Sequence, residues 1–383
     1  MTEAHSDPRL QTAARLVSEV LGPLKSTFVG KDEVIDLLGV GLVAGENVFL
    51  YGPPGTAKSA VVNELARRID GRVFDYLLTR FTEPNEIFGP FDIRKLREGD
   101  LVTNTEGMLP EADLVFLDEL LNANSAILNA LLLALNERVF RRGRETRKLP
   151  TLMVVAAGNS LPEDESLAAL FDRFLVRAFV ENVENSQLQQ VLEAGWALEQ
   201  SSKSAAAAVD IDDLRAVQSL VNEVDLAPVR SVYAEAVAAM RRAGLDVSDR
   251  RAVRFQRLLA ASAILSGRTT VQASDLWVLR TTWDRLEQRS VLAQLVTDTI
   301  DAAAGPDDGP AHPQSSAESV PDPETLARDL EALKSQLRQT EGESRLQLRD
   351  RVAAVAGRVQ WIPPGEQRDA LDQQLDALWK ALA

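Results

Sequence analysis

The chain of 383 residues has no cysteine and only two histidines, His5 and His312. The first absence excludes disulfides, thiolate zinc sites and thiol nucleophiles, and the second makes a histidine metal site or catalytic dyad improbable. Positive charge is also short. With 42 Lys and Arg against 57 Asp and Glu, the formal net charge is −15. That balance disfavours a generic nucleic-acid coat, because neutralising phosphates requires clustered cations. No apolar run reaches the roughly 18 residues of a membrane-spanning helix, and Met1 to Pro8 lacks the basic and apolar blocks of a signal peptide. A soluble cytoplasmic protein is expected, its chemistry resting on carboxylates, Lys, Arg, hydroxyls and a bound ion.

Against these absences stands one dense motif. The apolar run Val48 to Tyr51 breaks into Gly52-Pro53-Pro54-Gly55-Thr56-Ala57-Lys58-Ser59, and a helical stretch follows from Ala60 to Ile69. Strand, glycine turn and helix start in that order suit a nucleoside triphosphate. Backbone N–H groups and the positive end of the helix face the phosphates, and Lys58 adds a compact cation. Ser59 is placed to ligate Mg²⁺ through its hydroxyl. Ala57 stands where the usual pattern has Gly, and is expected to be tolerated by keeping a helical φ.

Five apolar segments predict parallel strands: Val48 to Tyr51, Val73 to Leu78, Leu114 to Leu117, Leu152 to Ala157 and Leu175 to Phe179. Helical stretches separate most of them, as in an α/β layer fold. Ile87 to Glu111 reads as an excursion with glycine turns, and Arg138 to Lys148 as a basic hairpin. From Asn185 to Ala304 the pattern is helical: Ser186 to Ala194, Asp212 to Val224, Pro228 to Ala243, Asp249 to Ser266 and Ala273 to Ala302. The predicted units are therefore an α/β core (1–184), a helical lid (185–304), a flexible linker (305–323) and a C-terminal helical element (324–383). In the last, Leu326, Leu330, Leu333 and Leu337 form a stripe typical of a helix core.

The strand ending Phe116-Leu117-Asp118-Glu119 brings two acids to a sheet edge where ligands of open α/β sheets bind. Asp118 suits the Mg²⁺ hydration shell, and Glu119 suits orienting and polarising a water. Asn159, ending the fourth strand, is a candidate sensor of the γ phosphate; the alternative is an ordinary Gly-Asn turn. Arg173 precedes the fifth strand and could reach across a subunit boundary to a γ phosphate, or pair locally with Asp172. Arg250, near a cap at Ser248 or Asp249, could touch phosphates in cis from a mobile lid.

With these residues in place the chain resembles the AAA+ ATPases of the MoxR family, and within it the RavA (regulatory ATPase variant) subfamily. The resemblance is carried by Tyr51 to Ser59, Leu78 to Pro90, Thr105 to Pro110, Phe116 to Glu119 and Val247 to Arg251. The family also tolerates Ala before the phosphate-loop Lys. It implies a P-loop AAA+ parallel-sheet core with a helix-2 insert at Ile87 to Glu111, a pre-sensor hairpin at Arg138 to Lys148, and an all-helical lid. It further implies a homo-oligomeric ring, usually hexameric, that hydrolyses ATP with Mg²⁺ and acts as a chaperone-like maturation factor, often with a von Willebrand factor A (vWA) domain protein. The residue roles it implies are Lys58, Glu119, Asn159, Arg173 as trans arginine finger and Arg250 as lid sensor, with Arg251 a register alternative. Nucleotide contacts are expected from Val29, Gly30, Gly52, Pro53, Pro54, Gly55, Thr56, Ala57, Lys58, Ser59, Ala60, Asp118 and Arg250, and metal contacts from Ser59 and Asp118. The β-rich partner module of RavA has no counterpart here. A nucleic-acid motor and a nucleotide-gated scaffold are the alternative readings.

Overall fold

A computed structural model describes residues 7–142, 145–162, 165–183, 185–200, 207–303, 309–315 and, beyond those, 327, 328, 330, 331, 333, 334, 337, 352, 355 and 366–382. Five strands form one parallel sheet: β1 Asn47–Tyr51, β2 Val73–Leu77, β3 Leu114–Asp118, β4 Met153–Gly158 and β5 Phe174–Phe179. Their order is β2-β3-β4-β1-β5, with Val48 opposite Val155 on one side and Val176 on the other. Successive side chains of a strand face opposite sides of the sheet, so both faces must be covered. Val48, Leu50, Phe116 and Val155 enter one core with the helices Asp32–Ala44 and Lys58–Arg67; Phe49, Val115, Leu117 and Val154 enter a second with the helix Ser125–Glu137. Burying each large apolar side chain contributes about 2 kcal/mol, and this two-sided burial is why the strands read as continuous apolar runs.

The helical stretch after β5 comprises Leu188–Gln200, Ile211–Leu220, Arg230–Arg242, Asp249–Leu265 and Gln288–Ala302. The single helix expected over Ala273 to Ala302 does not form. A 3₁₀ segment runs over Ala273–Thr281, and the next helix begins only at Gln288. The cause is tertiary. The Thr282 carbonyl accepts hydrogen bonds from Arg177 and Arg251, and that of Trp283 accepts one from Arg177. Carbonyls held by two buried guanidiniums are diverted from the i→i+4 ladder that an uninterrupted helix needs.

A short helix, Pro84–Phe88, leads into the excursion, which contains another at Ile93–Arg97, and the basic hairpin pairs Val139–Arg142 with Glu145–Lys148. Gly309 to Ser315, expected within a flexible linker, are instead docked. His312 is buried and stacks on Trp277 at 4.7 Å, Arg268 Nε donates to the Pro310 carbonyl, and Gln314 Nε2 donates to Asp36. Burial holds the His312 pKa below its ordinary value, so the neutral ring is the form that packs. The rest of the expected linker lies outside the described residues.

Contacts divide the chain into two compact units, Met1–Ser316 and Ala317–Ala383. In the second, the helix Glu366–Leu382 contributes Leu371, Leu375 and Leu378 to a core with Leu330, Leu333, Val352 and Val355. Leu337 packs against that core. Leu326 and most of residues 338–365 in the expected helical element lie outside the described residues.

Candidate active site

The glycine turn leaves β1 at the carboxyl edge of the sheet. The Gly52 N–H donates to the Gly158 carbonyl at 3.2 Å, and a Cβ at Gly52 would lie 2.1 Å from the Val180 carbonyl oxygen, so only glycine fits there. The Thr56 hydroxyl closes the loop onto the Pro53 carbonyl at 2.9 Å. Lys58 is buried, with Nζ donating to the Gly52 and Pro53 carbonyls at 2.7 and 2.9 Å. That burial lowers its pKa, opposed by Asp118 and Glu119.

Ala57 does not keep the helical φ expected of it. Its φ is +66° in the left-handed region, the position where the usual motif has glycine. An L-residue there pays about 1–2 kcal/mol. Ala57→Gly is therefore expected to raise the unfolding free energy by about 1 kcal/mol, read in urea unfolding as a higher midpoint at unchanged slope. A lower midpoint would contradict the strain.

Beside the loop, β3 ends in the acidic pair. Ser59 Oγ donates to Asp118 Oδ2 at 2.8 Å, and Asp118 Oδ1 accepts the Glu119 N–H at 2.9 Å. Glu119 too has positive φ, +53°. This left-handed residue turns the chain away from the strand and into the next short helix, Leu120–Asn122. Its carboxylate is held from both sides, Oε1 accepting from Asn159 Nδ2 at 3.4 Å and Oε2 from Asn122 Nδ2 at 3.2 Å. Burial first, and the charge of Asp118 second, raise the Glu119 pKa, which Lys58 partly offsets. Asn122 was not foreseen; its sole signal is the three-residue spacing from Glu119.

Among the described residues no cluster of three or more His, Cys, Asp or Glu could hold a metal. One hydroxyl and one carboxylate 2.8 Å apart nonetheless suit a hard, largely hydrated Mg²⁺ whose remaining ligands are water and phosphate oxygens. The donor set therefore fits a magnesium–triphosphate pair and not a dedicated metal cage. Val29 and Gly30 precede the helix Asp32–Ala44. Gly30 has φ +69°, and a Cβ there would lie 2.9 Å from Val183, so this turn packs against the chain leaving β5. Ala60 lies in the first turn of the helix Lys58–Arg67, exposed to solvent.

The arginines lie elsewhere. The Arg173 carbonyl accepts from Asn47 Nδ2 at 3.1 Å, at the amino edge of β1, one strand length or roughly 13 Å from the glycine turn. Its Nη1 pairs with Asp172 at 2.9 Å, and burial followed by the nearby charge of Arg250 lowers its pKa. Arg250 is exposed and donates to Asn136 at 3.3 Å. Four residues later, about one turn along the same helix, Arg254 pairs with Glu46, just before β1. The cis contact expected of Arg250 with the phosphate loop therefore does not form within this subunit, because the helix Asp249–Leu265 packs over Glu46 at the opposite edge. Arg251 is buried against Asp284 and the Thr282 carbonyl, which leaves Arg250 as the solvent-facing residue of the two.

Residues 14–219 match the model of the MoxR domain in the MoxR-vWA-beta-propeller ternary systems, and residues 224–296 match an AAA lid domain. An uncharacterized protein of Methanocaldococcus jannaschii is 34% identical over 278 residues, 72% of this chain and 72% of its own. The chaperone MoxR1 of Mycobacterium tuberculosis is 30% identical over 172 residues, 44% of each chain. The solved structure of a Cytophaga hutchinsonii protein described as a candidate ATPase superposes with TM-score 0.63 at 20% identity, covering 78% of this chain and 97% of that one, and shares the fold.

Proposed function

Because the chain belongs to the MoxR family of AAA+ ATPases, we propose that it hydrolyses ATP with Mg²⁺ at sites shared between neighbouring copies in a ring, and uses the cycle to remodel a protein partner. The observation that carries this reading is the split of the site. Lys58, Ser59, Asp118, Glu119 and Asn159 gather at the carboxyl edge of the sheet, whereas Arg173 and Arg250 gather at the amino edge. Each copy carries both halves but holds them apart at opposite edges, and a head-to-tail contact that closes into a ring brings one copy's half against the other half of its neighbour.

In this reading the loop N–H groups and Lys58 bind the β and γ phosphates, Lys58 exchanging the Gly52 and Pro53 carbonyls for phosphate oxygens. Ser59 and Asp118 would hold Mg²⁺, which would supply positive charge to neutralise the phosphates. Glu119, steadied by Asn122 and Asn159, orients the attacking water and polarises it. A neighbour's Arg173 and Arg250 stabilise the charge that develops on the transferred phosphoryl group. Lys58→Ala is expected to remove ATP binding, and EDTA to stop phosphate release without unfolding the protein. Magnesium-independent turnover that survives Lys58→Ala would refute the site.

For the partner, the matching family model is described for systems with vWA and beta-propeller components, which favours a vWA protein as partner. Phe81, Ile93, Leu96 and Leu101 are exposed in and beside the excursion, Phe81 to 81%, and large apolar groups left in solvent along one stretch of chain support contact with a protein client over nucleic acid. The C-terminal unit, whose described residues carry no site constellation, is read as a docking or assembly element.

A further inference from the structure

Asp172 opens the two-residue turn between the helix Glu165–Phe171 and β5, and its carboxylate is shared between two guanidiniums. It lies 2.9 Å from Nη1 of Arg173 and 3.6 Å from Nε of Arg251. Arg251 is itself fixed. Its Nη1 bonds both oxygens of Asp284 at 3.2 and 2.9 Å and the Asp246 carbonyl at 2.7 Å, and its Nη2 bonds the Thr282 carbonyl at 2.9 Å. Asp284 also takes Arg177 at 2.9 Å. The Arg177 guanidinium is fully buried and bonds the carbonyls of Phe171, Thr282 and Trp283. A chain of alternating charge therefore runs Arg173, Asp172, Arg251, Asp284, Arg177. Each carboxylate serves two cations, so displacing one member uncovers the next, and the chain holds its end residues more firmly than an isolated surface pair would.

Asp172 engages only Nη1 of Arg173, and Nε is buried without a partner. A side chain anchored by one nitrogen and left 17% exposed keeps its solvent-facing N–H groups, though not the buried Nε, for an incoming anion. We propose that Asp172 is a positioning residue for Arg173: fixed by Arg251 and Asp284, it holds the guanidinium by one corner and presents the remainder to the phosphates of a neighbouring copy. The inference rests on the boundary-shared site proposed above. Without the anchor the flexible arginine must be ordered at each turnover, a cost that falls on the step in which phosphoryl charge develops, more than on ATP binding.

Asp172→Asn removes the charge at nearly constant volume, and the 38% exposure of the Asp172 side chain makes the change tolerable to the fold. In assembled full-length protein we expect kcat to fall about tenfold or more with KM changed less than about twofold and thermal melting little altered. Mixing Asp172→Asn with Lys58→Ala copies restores turnover, because a boundary between the phosphate loop of the first and the Arg173 edge of the second keeps every group intact. A wild-type kcat in Asp172→Asn, or a loss that mixing does not restore, overturns the inference. Glu119→Gln in the same assay separates the two levels. If it too turns over normally, the shared site has failed; if it is inactive while Asp172→Asn is normal, only the role of Asp172 falls.

Discussion

Glu119→Gln is expected to lower ATP turnover by roughly 10²–10⁴-fold while leaving ATP binding intact, the range typical of removing a general base. The substitution keeps length and shape but loses the charge that orients and polarises the water. The amide of Gln also sets a second NH₂ group against those of Asn122 and Asn159, which now donate to both Glu119 oxygens. Asp118 and Ser59 are untouched, so the metal and phosphate contacts persist. Phosphate release and equilibrium titration with ATP separate the two quantities; a parallel loss of both would assign Glu119 to binding. In the wild type, burial and the charge of Asp118 raise the Glu119 pKa, so the acid limb of the rate profile is expected at higher pH than an unperturbed glutamate would give, because the carboxylate must be ionised to act.

Arg173→Ala is expected to cost 10³–10⁵-fold in turnover, the magnitude associated with an arginine supplied to a phosphoryl-transfer site, about 4–7 kcal/mol of barrier. Stability should change little by comparison. Among the described residues the Arg173 side chain pairs with Asp172 alone, and Asp172 keeps Arg251 when Arg173 is gone. Titration of the variant with ATP should match wild type, since its own phosphate loop lies at the other edge of the sheet. A turnover loss below about tenfold would remove Arg173 from the transition state.

The sheet and the phosphate loop were legible in the sequence because their causes are local. Two-sided burial leaves β1 and β4 as unbroken apolar runs, and each of the five predicted strands lies within a residue or two of its place in the structure. The Asp118–Glu119 pair was legible for the same reason, as acids ending an apolar strand. What escaped has its cause at long range. Ala57 carries no mark of its left-handed φ, which the loop imposes on whatever residue stands there. The break at Thr282 and Trp283 comes from Arg177, more than a hundred residues earlier. The docking of Gly309 to Ser315 hangs on the stacking of His312 on Trp277, while its Pro, Gly and Ser content reads as linker. The sequence around Arg250 gave its helix and cap but not the edge of the sheet that helix covers, which is set by Arg254 and Glu46.

Arg173→Ala and Glu119→Gln copies, each nearly inactive alone, test the shared site most directly when mixed in equal amounts and assayed for phosphate release. A head-to-tail ring then contains about a quarter of boundaries in which the phosphate loop and Glu119 of one copy meet the Arg173 edge of the other, all intact. The account predicts turnover well above either parent, rising and falling with the mixing ratio and greatest near equal parts. A mixture that stays as inactive as its parents, in assemblies shown to contain both copies, would contradict it.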